Sequence, residues 1–418
     1  MFLSKQRTRI SEIYHEYPRA FWLMVVVNFI DRLGGSLLFP FFALYVTRRF
    51  NVGMTEVGSL FAVWSVASFI GSFPGGALTD RLGRKGMIIF SLAATSLSSV
   101  VLGLVNTLTL FFAVGFFTGI FTDIGSPAYQ AVVADLLPEE KRAQGYGIVR
   151  VAFNLSAAIG PVIGGFIAAH SYLALFLTDA VISLITAAFV FVFIPETKPQ
   201  AQPGARQESL GQAFAGYLRV LRDGPFVAFV VVSFLAWLVY MNMNTTLGVY
   251  LRSNHGIPES GYGMLLSLNA LMVVLFQFWI TRRLEKRSPM LMMAAGAALL
   301  AVGFAMYGIF SAYPLFMLAM AIITVGEMVM IPVSSALVAR FAPQEMRGRY
   351  NFVYGLSWGI SFAVGPMLAG LIMDGPNPNW LWAACGLIGL AATFGFLALQ
   401  RRARPVLGLV PKGEASND

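Results

Sequence analysis

Apolar stretches of about 20 residues or more alternate with short polar connections along nearly the whole chain. Each is long enough to cross a hydrocarbon core of about 30 Å. The pattern predicts twelve spans, near 20–46, 55–79, 87–106, 108–136, 144–169, 171–194, 225–251, 258–281, 289–311, 313–341, 349–373 and 379–400. Some connections are minimal: Arg48, Arg49 and Asn51 separate spans 1 and 2, and little more than His170 separates spans 5 and 6. The longest break, 195–224, carries Pro195, Pro199, Pro203 and Gly204 with several charges. It divides the chain into an N-terminal set of six spans (1–194) and a C-terminal set (225–400), with a tail at 401–418.

Composition agrees with this reading. Of 418 residues, 57% are hydrophobic and 12% charged, against about 25% charged in soluble proteins. So few charges cannot cover a water-facing surface, which excludes a soluble enzyme and a disordered chain. The single cysteine, Cys385, makes no intrachain disulfide, which excludes a disulfide scaffold. A net charge of +9 raises nucleic acid as a partner, and the placement of the charges answers it. With the N-terminus in the cytoplasm, 24 of the 29 Lys and Arg residues fall inside, 3 outside and 2 within spans (Arg32 and Arg150). That is the positive-inside bias of a membrane protein with both termini cytoplasmic, not a nucleic-acid surface. Residues 1–19 lack a cleavable signal pattern, so the first span is expected to stay.

The two halves repeat each other at an offset of about 205. PAYQAVVADLLPEE at 127–140 matches PVSSALVARFAPQE at 332–345. Gly160, Pro161 and Gly165 match Gly365, Pro366 and Gly370, and Tyr45 matches Tyr250. Shared composition explains matched apolar residues but not matched Pro, Gly and loop charges. The fold expected is therefore an all-α membrane protein, its twelve transmembrane helices in two pseudo-symmetric six-helix bundles. Such repeats place a site between them, as in alternating-access transporters.

Three motifs then carry a resemblance. GGALTDRLGRKG at 75–86 resembles the signature loop of the major facilitator superfamily. Gly160-Pro161-Val162-Ile163-Gly164-Gly165 resembles the motif of that superfamily's antiporters, and DRLGGSLLFPFFALY at 31–45 is similar to the first-span motif of its twelve-span drug/proton antiporter branch. The resemblance implies that spans 1, 4, 7 and 10 line a cavity. It also implies that Gly76, Asp80, Arg81, Gly83, Arg84 and Asp135 form a cytoplasmic latch stabilising the outward-facing state. One departure is Gly115, which stands where that branch often carries an arginine linked to proton coupling.

Acids inside the spans are the candidate chemistry. At 1.5 Å per residue Asp31 lies about 16 Å deep, and Asp123 and Glu327 sit near the middle of spans 4 and 10. A charge there costs at least roughly 2.5–3.5 kcal/mol and calls for a cavity or a partner. Glu327, with no Lys or Arg nearby in its span, is read as a proton-coupling site where proton and cation compete, with Asp123 and Asp31 beside it as candidates. For Asp31 a structural ion pair with Arg32 stays open, and Asp179, on span 6, is read as structural. The substrate-binding candidates are Asp31, Arg32, Asn154, Asn242, Asn244, Glu327, Tyr240 and Trp358. Gly160, Pro161, Gly164 and Gly165 would permit tight helix packing and a bend.

Other chemistries lack their motifs. There is no GxxxxGKS/T phosphate loop, His15, His170 and His255 form no metal cluster, and no nucleophile–histidine arrangement is evident. Neither a metal nor a cofactor is expected. The expected activity is proton-coupled export of amphipathic small molecules, cationic or neutral, by a monomer in a bacterial inner membrane. Nutrient import by symport or uniport is the alternative within transport, and a non-transporting scaffold or receptor the alternative outside it.

Overall fold

A computed structural model describes residues 16–197, 210–284, 287–343 and 346–403. Among these residues every regular element is a helix, and twelve segments are long and apolar enough to cross a membrane. In chain order they are span 1 (Arg19–Phe50), 2 (Met54–Leu82), 3 (Arg84–Leu104), 4 (Leu108–Asp123 with Ser126–Leu136), 5 (Glu139–His170) and 6 (Tyr172–Phe193). Then follow span 7 (Gly224–Thr245, extended by Leu247–His255), 8 (Glu259–Leu284), 9 (Pro289–Ile309), 10 (Tyr313–Phe341), 11 (Arg347–Met373) and 12 (Trp380–Ala403). Phe69, Phe278, Leu387 and Phe394 are each at least 61% exposed, surfaces that suit lipid and not water.

Local chemistry explains the breaks. Pro127 has no N–H to offer and its ring crowds the preceding turn, so span 4 stops at Asp123 and restarts at Ser126. Gly125 and Pro127 are residue types that predict a kink, and the helix is interrupted beside them, at Ile124 and Gly125. Between spans 2 and 3, Gly83 sits at φ 97°, a conformation that favours glycine. Within the stretch expected as a linker, Leu210–Leu221 is helical. Its Leu210, Phe214, Tyr217, Leu218 and Leu221 recur at the spacing of one helix face.

The chain forms two compact units. One comprises Met1–Phe50, Val63–Gln202 and Pro258–Met264; the other comprises Asn51–Ala62, Pro203–Ile257 and Leu265–Asp418. In the first, span 1 packs on spans 5 and 6, and span 3 on spans 4 and 6. In the second, span 7 packs on spans 11 and 12, and span 9 on spans 10 and 12. The same pairing, six spans later, extends to single hydrogen bonds. The Ser156 hydroxyl donates to Phe29 O at 2.8 Å, and that of Ser361 to Phe234 O at 3.2 Å. The Tyr45 hydroxyl donates to Leu102 O at 3.2 Å, and that of Tyr250 to Tyr307 O at 2.9 Å. Each pair is displaced by 205 residues, the offset seen in the sequence.

Each unit also takes in a short segment from the other half of the chain. In the first unit the buried carboxylate of Glu259 accepts from the Tyr172 hydroxyl at 2.8 Å and from Arg48 at 3.4 Å. In the second, Asp374 accepts from the N–H groups of Met54 and Thr55 at 2.8 and 2.7 Å, capping the start of span 2.

Candidate functional site

The second unit gathers several of the expected residues around Glu327. Its Oε2 accepts a hydrogen bond from Asn269 Nδ2 at 2.7 Å, and the Tyr240 hydroxyl also engages it. Asn269 is fixed in turn by Thr324 Oγ1 at 3.0 Å, whose own proton goes to Met320 O. No Lys or Arg lies within 4 Å of Glu327 among the described residues, so only neutral groups hold it. Tyr240 leads from the carboxylate into an aromatic cluster. Its ring lies 5.7 Å from Trp237 and 5.9 Å from Trp358, and the two indoles are 5.1 Å apart, edge to face. Trp237 Nε1 donates to the Tyr354 hydroxyl at 3.3 Å, which sets its ring. Trp358 remains 43% exposed. A carboxylate beside aromatic faces is a surface for an organic cation, which gains from both charge and ring quadrupole.

Asn242, another substrate-binding candidate, bonds within its own span. Its amide donates to Leu238 O at 3.0 Å and Val239 O at 3.2 Å, while its Oδ1 accepts from Thr246 Oγ1 at 2.6 Å. Only the last of these reaches the break in span 7 at Thr246, whose own N–H donates to Asn242 O at 3.2 Å. Asn244 is half-buried and Asn154, in the first unit, is exposed.

In the first unit, Asp31 and Arg32 approach at 3.9 Å, and the guanidinium, 47% exposed, leans over the Phe153 ring. They line a cavity of about 250 Å³ bounded by spans 1, 2, 3, 4 and 6, which Asp179 also faces. Asp179, read from the sequence as structural, is 3% exposed and accepts from the Ser99 hydroxyl. A second cavity, about 400 Å³, runs beside Asn28, Gln130, Tyr146 and Arg150.

At the start of span 3, Arg84 Nε donates to Asp135 Oδ2 at 2.9 Å, which brings two of the expected residues together. Two residues that no motif marks join this pair. Glu196 accepts from the Arg84 backbone N–H at 2.8 Å, where a carboxylate meets the positive end of the helix, and the Thr197 hydroxyl donates to Asp135 at 3.1 Å. Both lie just past span 6 and carry no motif. Gly76, Asp80, Arg81 and Asp123 lie outside the residues whose side chains are described. In span 5, Gly160 and Gly164 let the helix press on span 1: a Cβ on either would meet Ser36 Cβ at 2.4 Å or Leu37 O at 2.3 Å. Gly165 faces Glu259 and Gly263 at the start of span 8.

Comparison with known proteins follows the same lines. A family model described as Major Facilitator Superfamily matches residues 24–361 and 229–416. An uncharacterized MFS-type transporter, YttB of Bacillus subtilis (strain 168), is 30% identical over 369 residues, covering 85% of this chain and 89% of its own. A Planococcus maritimus protein named "Na(+), Li(+), K(+)/H(+) antiporter" is 26% identical, with 92% of this chain and 96% of its own covered. Multidrug resistance protein MdtH of Shigella flexneri is 22% identical, covering 90% and 92%. The crystal structure of nucleoside transporter NupG shares the fold at a TM-score of 0.76 and 13% identity, covering 91% of this chain and 99% of its own. These relatives are transporters and not enzymes. Twelve apolar helices, the repeated pairing and the family match make one conclusion: the chain is a multi-pass membrane transporter and belongs to the major facilitator superfamily.

Proposed function

We propose that the protein is a proton-coupled antiporter that exports amphipathic small molecules, cationic or neutral, by alternating access. It would work as a monomer in a bacterial inner membrane with both termini in the cytoplasm. One observation carries the reading: Glu327, held by neutral donors alone, adjoins the Tyr240–Trp237–Trp358 cluster. A carboxylate so placed needs a compensating positive charge, and a proton or a cationic substrate supplies one. The organic cation lays its apolar body on the rings and brings its charge to Glu327, which gives up its proton to water. On the outer side a proton returns to Glu327 and the cation leaves. Proton and substrate therefore move in opposite directions through one carboxylate.

The remaining candidates take secondary parts in this scheme. Asn244, Asn154 and Arg32 are offered as substrate contacts, and Asp31 and Asp123 as further protonatable groups. Arg84 and Asp135, with Gly76, Asp80, Arg81 and Gly83, are offered as the latch of the outward-facing state. Gly160, Pro161, Gly164 and Gly165 would let span 5 move against span 1. Among the relatives, one name reads antiporter and another multidrug resistance, which accords with the proposal.

The test is proton movement in proteoliposomes under an imposed pH gradient, with a panel of lipophilic cations. Substrate-dependent proton release that vanishes in Glu327→Gln is the expected result. Substrate flux without proton movement would overturn the coupling and identify a uniporter. Accumulation of substrate along the proton gradient would identify a symporter.

A further inference from the structure

The cavity of the first unit has a chemistry of its own. Its wall carries hydroxyls at four-residue spacing, which align on one face of a helix: Ser91, Thr95 and Ser99 on span 3, and Thr118 and Thr122 on span 4, with Ser126 just past that span's break. A hydroxyl has one proton and two lone pairs, so the direction of its proton decides what it offers. Ser91 donates to Ile88 O, Thr95 to Ser91 O, Thr118 to Val114 O and Thr122 to Thr118 O, all at 2.8–3.0 Å. Ser99 donates to Asp179. Five hydroxyl protons are thus taken up by neighbouring oxygens, leaving lone pairs for the cavity. On span 3 and at Thr118 and Thr122 the wall therefore presents acceptors, which suits a cation, while Arg32 stands beside them as a donor.

Charge and size narrow the class. Among the described residues, the ionisable groups facing the cavity are Asp31, Asp179, Arg32 and Tyr129. With both carboxylates and the guanidinium charged, the net value is one negative charge. A single monovalent cation, or a single proton, neutralises it; a divalent ion would leave an excess of positive charge. The volume of about 250 Å³ lies below the roughly 300–1,000 Å³ of drug-sized pockets and suits a small ion.

Two further observations point to a ligand. The Tyr129 hydroxyl lines the cavity, is nine-tenths buried and has no hydrogen-bond partner among the described residues. Span 1 is also cut away to suit the site. A Cβ at Gly34 would meet Asp179 Oδ1 at 2.7 Å, whereas one at Gly35 would meet nothing within 4 Å. Gly34 thus makes room for the carboxylate, and Gly35 leaves space in the cavity. Access is at hand, since Arg32, Ser126 and Tyr129 also border the larger cavity beside Arg150.

We propose that Asp179 and Asp31, with the hydroxyl oxygens of spans 3 and 4 and of Tyr129, form a site for a monovalent alkali cation. The ion exchanges there with a proton: it enters as Asp179 releases its proton to water, and reprotonation of the carboxylate expels it. As transport, this rests on the antiport reading above; the binding itself does not.

Equilibrium binding separates the two. Full-length protein in lipid nanodiscs is melted in sodium, lithium or potassium chloride against choline chloride at equal ionic strength. At least one alkali ion is expected to raise Tm and to saturate, with apparent Kd rising toward tenfold for each pH unit lowered in the range where Asp179 is protonated. Asp179→Asn should abolish the effect, Ser99→Ala should weaken Kd by about 10–100-fold, and Gly35→Leu should block the site by filling it. Glu327→Gln should leave the cation response intact, whatever it does to drug export. Equal melting in choline and in all three alkali salts would overturn the proposal, as would an undiminished response in Asp179→Asn. Should Asp179→Asn fail to fold, Gly35→Leu decides on the same terms.

Discussion

Glu327→Gln tests the electrostatic part of the proposed export site, because the substitution keeps shape while removing charge. The glutamine oxygen can still accept from Asn269 Nδ2, so the 2.7 Å contact and the Thr324 support persist. Only a ligand's charge should notice the change. At 4 Å, with an effective dielectric constant of about 20, a unit charge gains about 4 kcal/mol from the carboxylate, and in bulk water about 1 kcal/mol. Glu327 is half-buried, so those values bracket the expected loss. At about 1.4 kcal/mol per factor of ten, a monovalent lipophilic cation should bind about 5- to 700-fold more weakly. A neutral molecule of matching shape should change by less than about twofold. Equilibrium binding of tetraphenylphosphonium and an uncharged tetraphenyl analogue to purified protein, at a pH where substrate binding to wild type is saturated with respect to deprotonation, makes the comparison. Parallel losses for both ligands would mean that the glutamine disturbs packing, and the charge argument would fall. Unchanged affinity for both would place the cation elsewhere.

Three other substitutions probe the framework. Trp358→Ala should weaken a lipophilic cation by about 0.5–2 kcal/mol, read as binding affinity, with Tm nearly unchanged because the ring is 43% exposed. Gly164→Val should destabilise the fold by about 1–3 kcal/mol through overpacking against Leu37, and thermal unfolding in detergent would show it; an unchanged Tm would refute the close contact. Asp374→Ala removes the cap from span 2 and should cost about 0.5–2 kcal/mol, while Asp374→Asn should recover much of that loss.

The boundary between what could and could not be read from the sequence is physical. Span number, the break before Pro127 and the 205-residue repeat are properties of periodicity and of single residues, so they survive without coordinates. The repeat even reaches Tyr45 and Tyr250, whose hydroxyls cap corresponding carbonyls. Glu327 was conspicuous because an acid without a nearby base in an apolar span has few explanations. Its partners were not, since Asn269 lies 58 residues away and any of several asparagines fits that description equally well.

Asp179 shows where such reasoning runs out. The four-residue hydroxyl stripes at 91, 95 and 99 and at 118, 122 and 126 are visible in the sequence, as is the pair Asp179 and Ser183. Each stripe alone is an ordinary feature of a membrane helix, in which serine and threonine donate to their own backbone. Their meaning depends on three helices turning these faces toward one space and on Gly34 yielding to a carboxylate from span 6. Helix rotation decides that, and rotation is set by packing across the whole bundle. Asn242 makes the converse point, because its amide donates to carbonyls of its own helix and its oxygen accepts from Thr246. Backbone groups at a helix break must find partners inside a membrane before any ligand does. Polar side chains whose bonds are already taken by their own helix, as those of Asn242 are, are therefore weaker candidates for substrate contacts. Those lining an acceptor-rich space with a carboxylate, as Ser99 and Tyr129 do here, are the stronger ones.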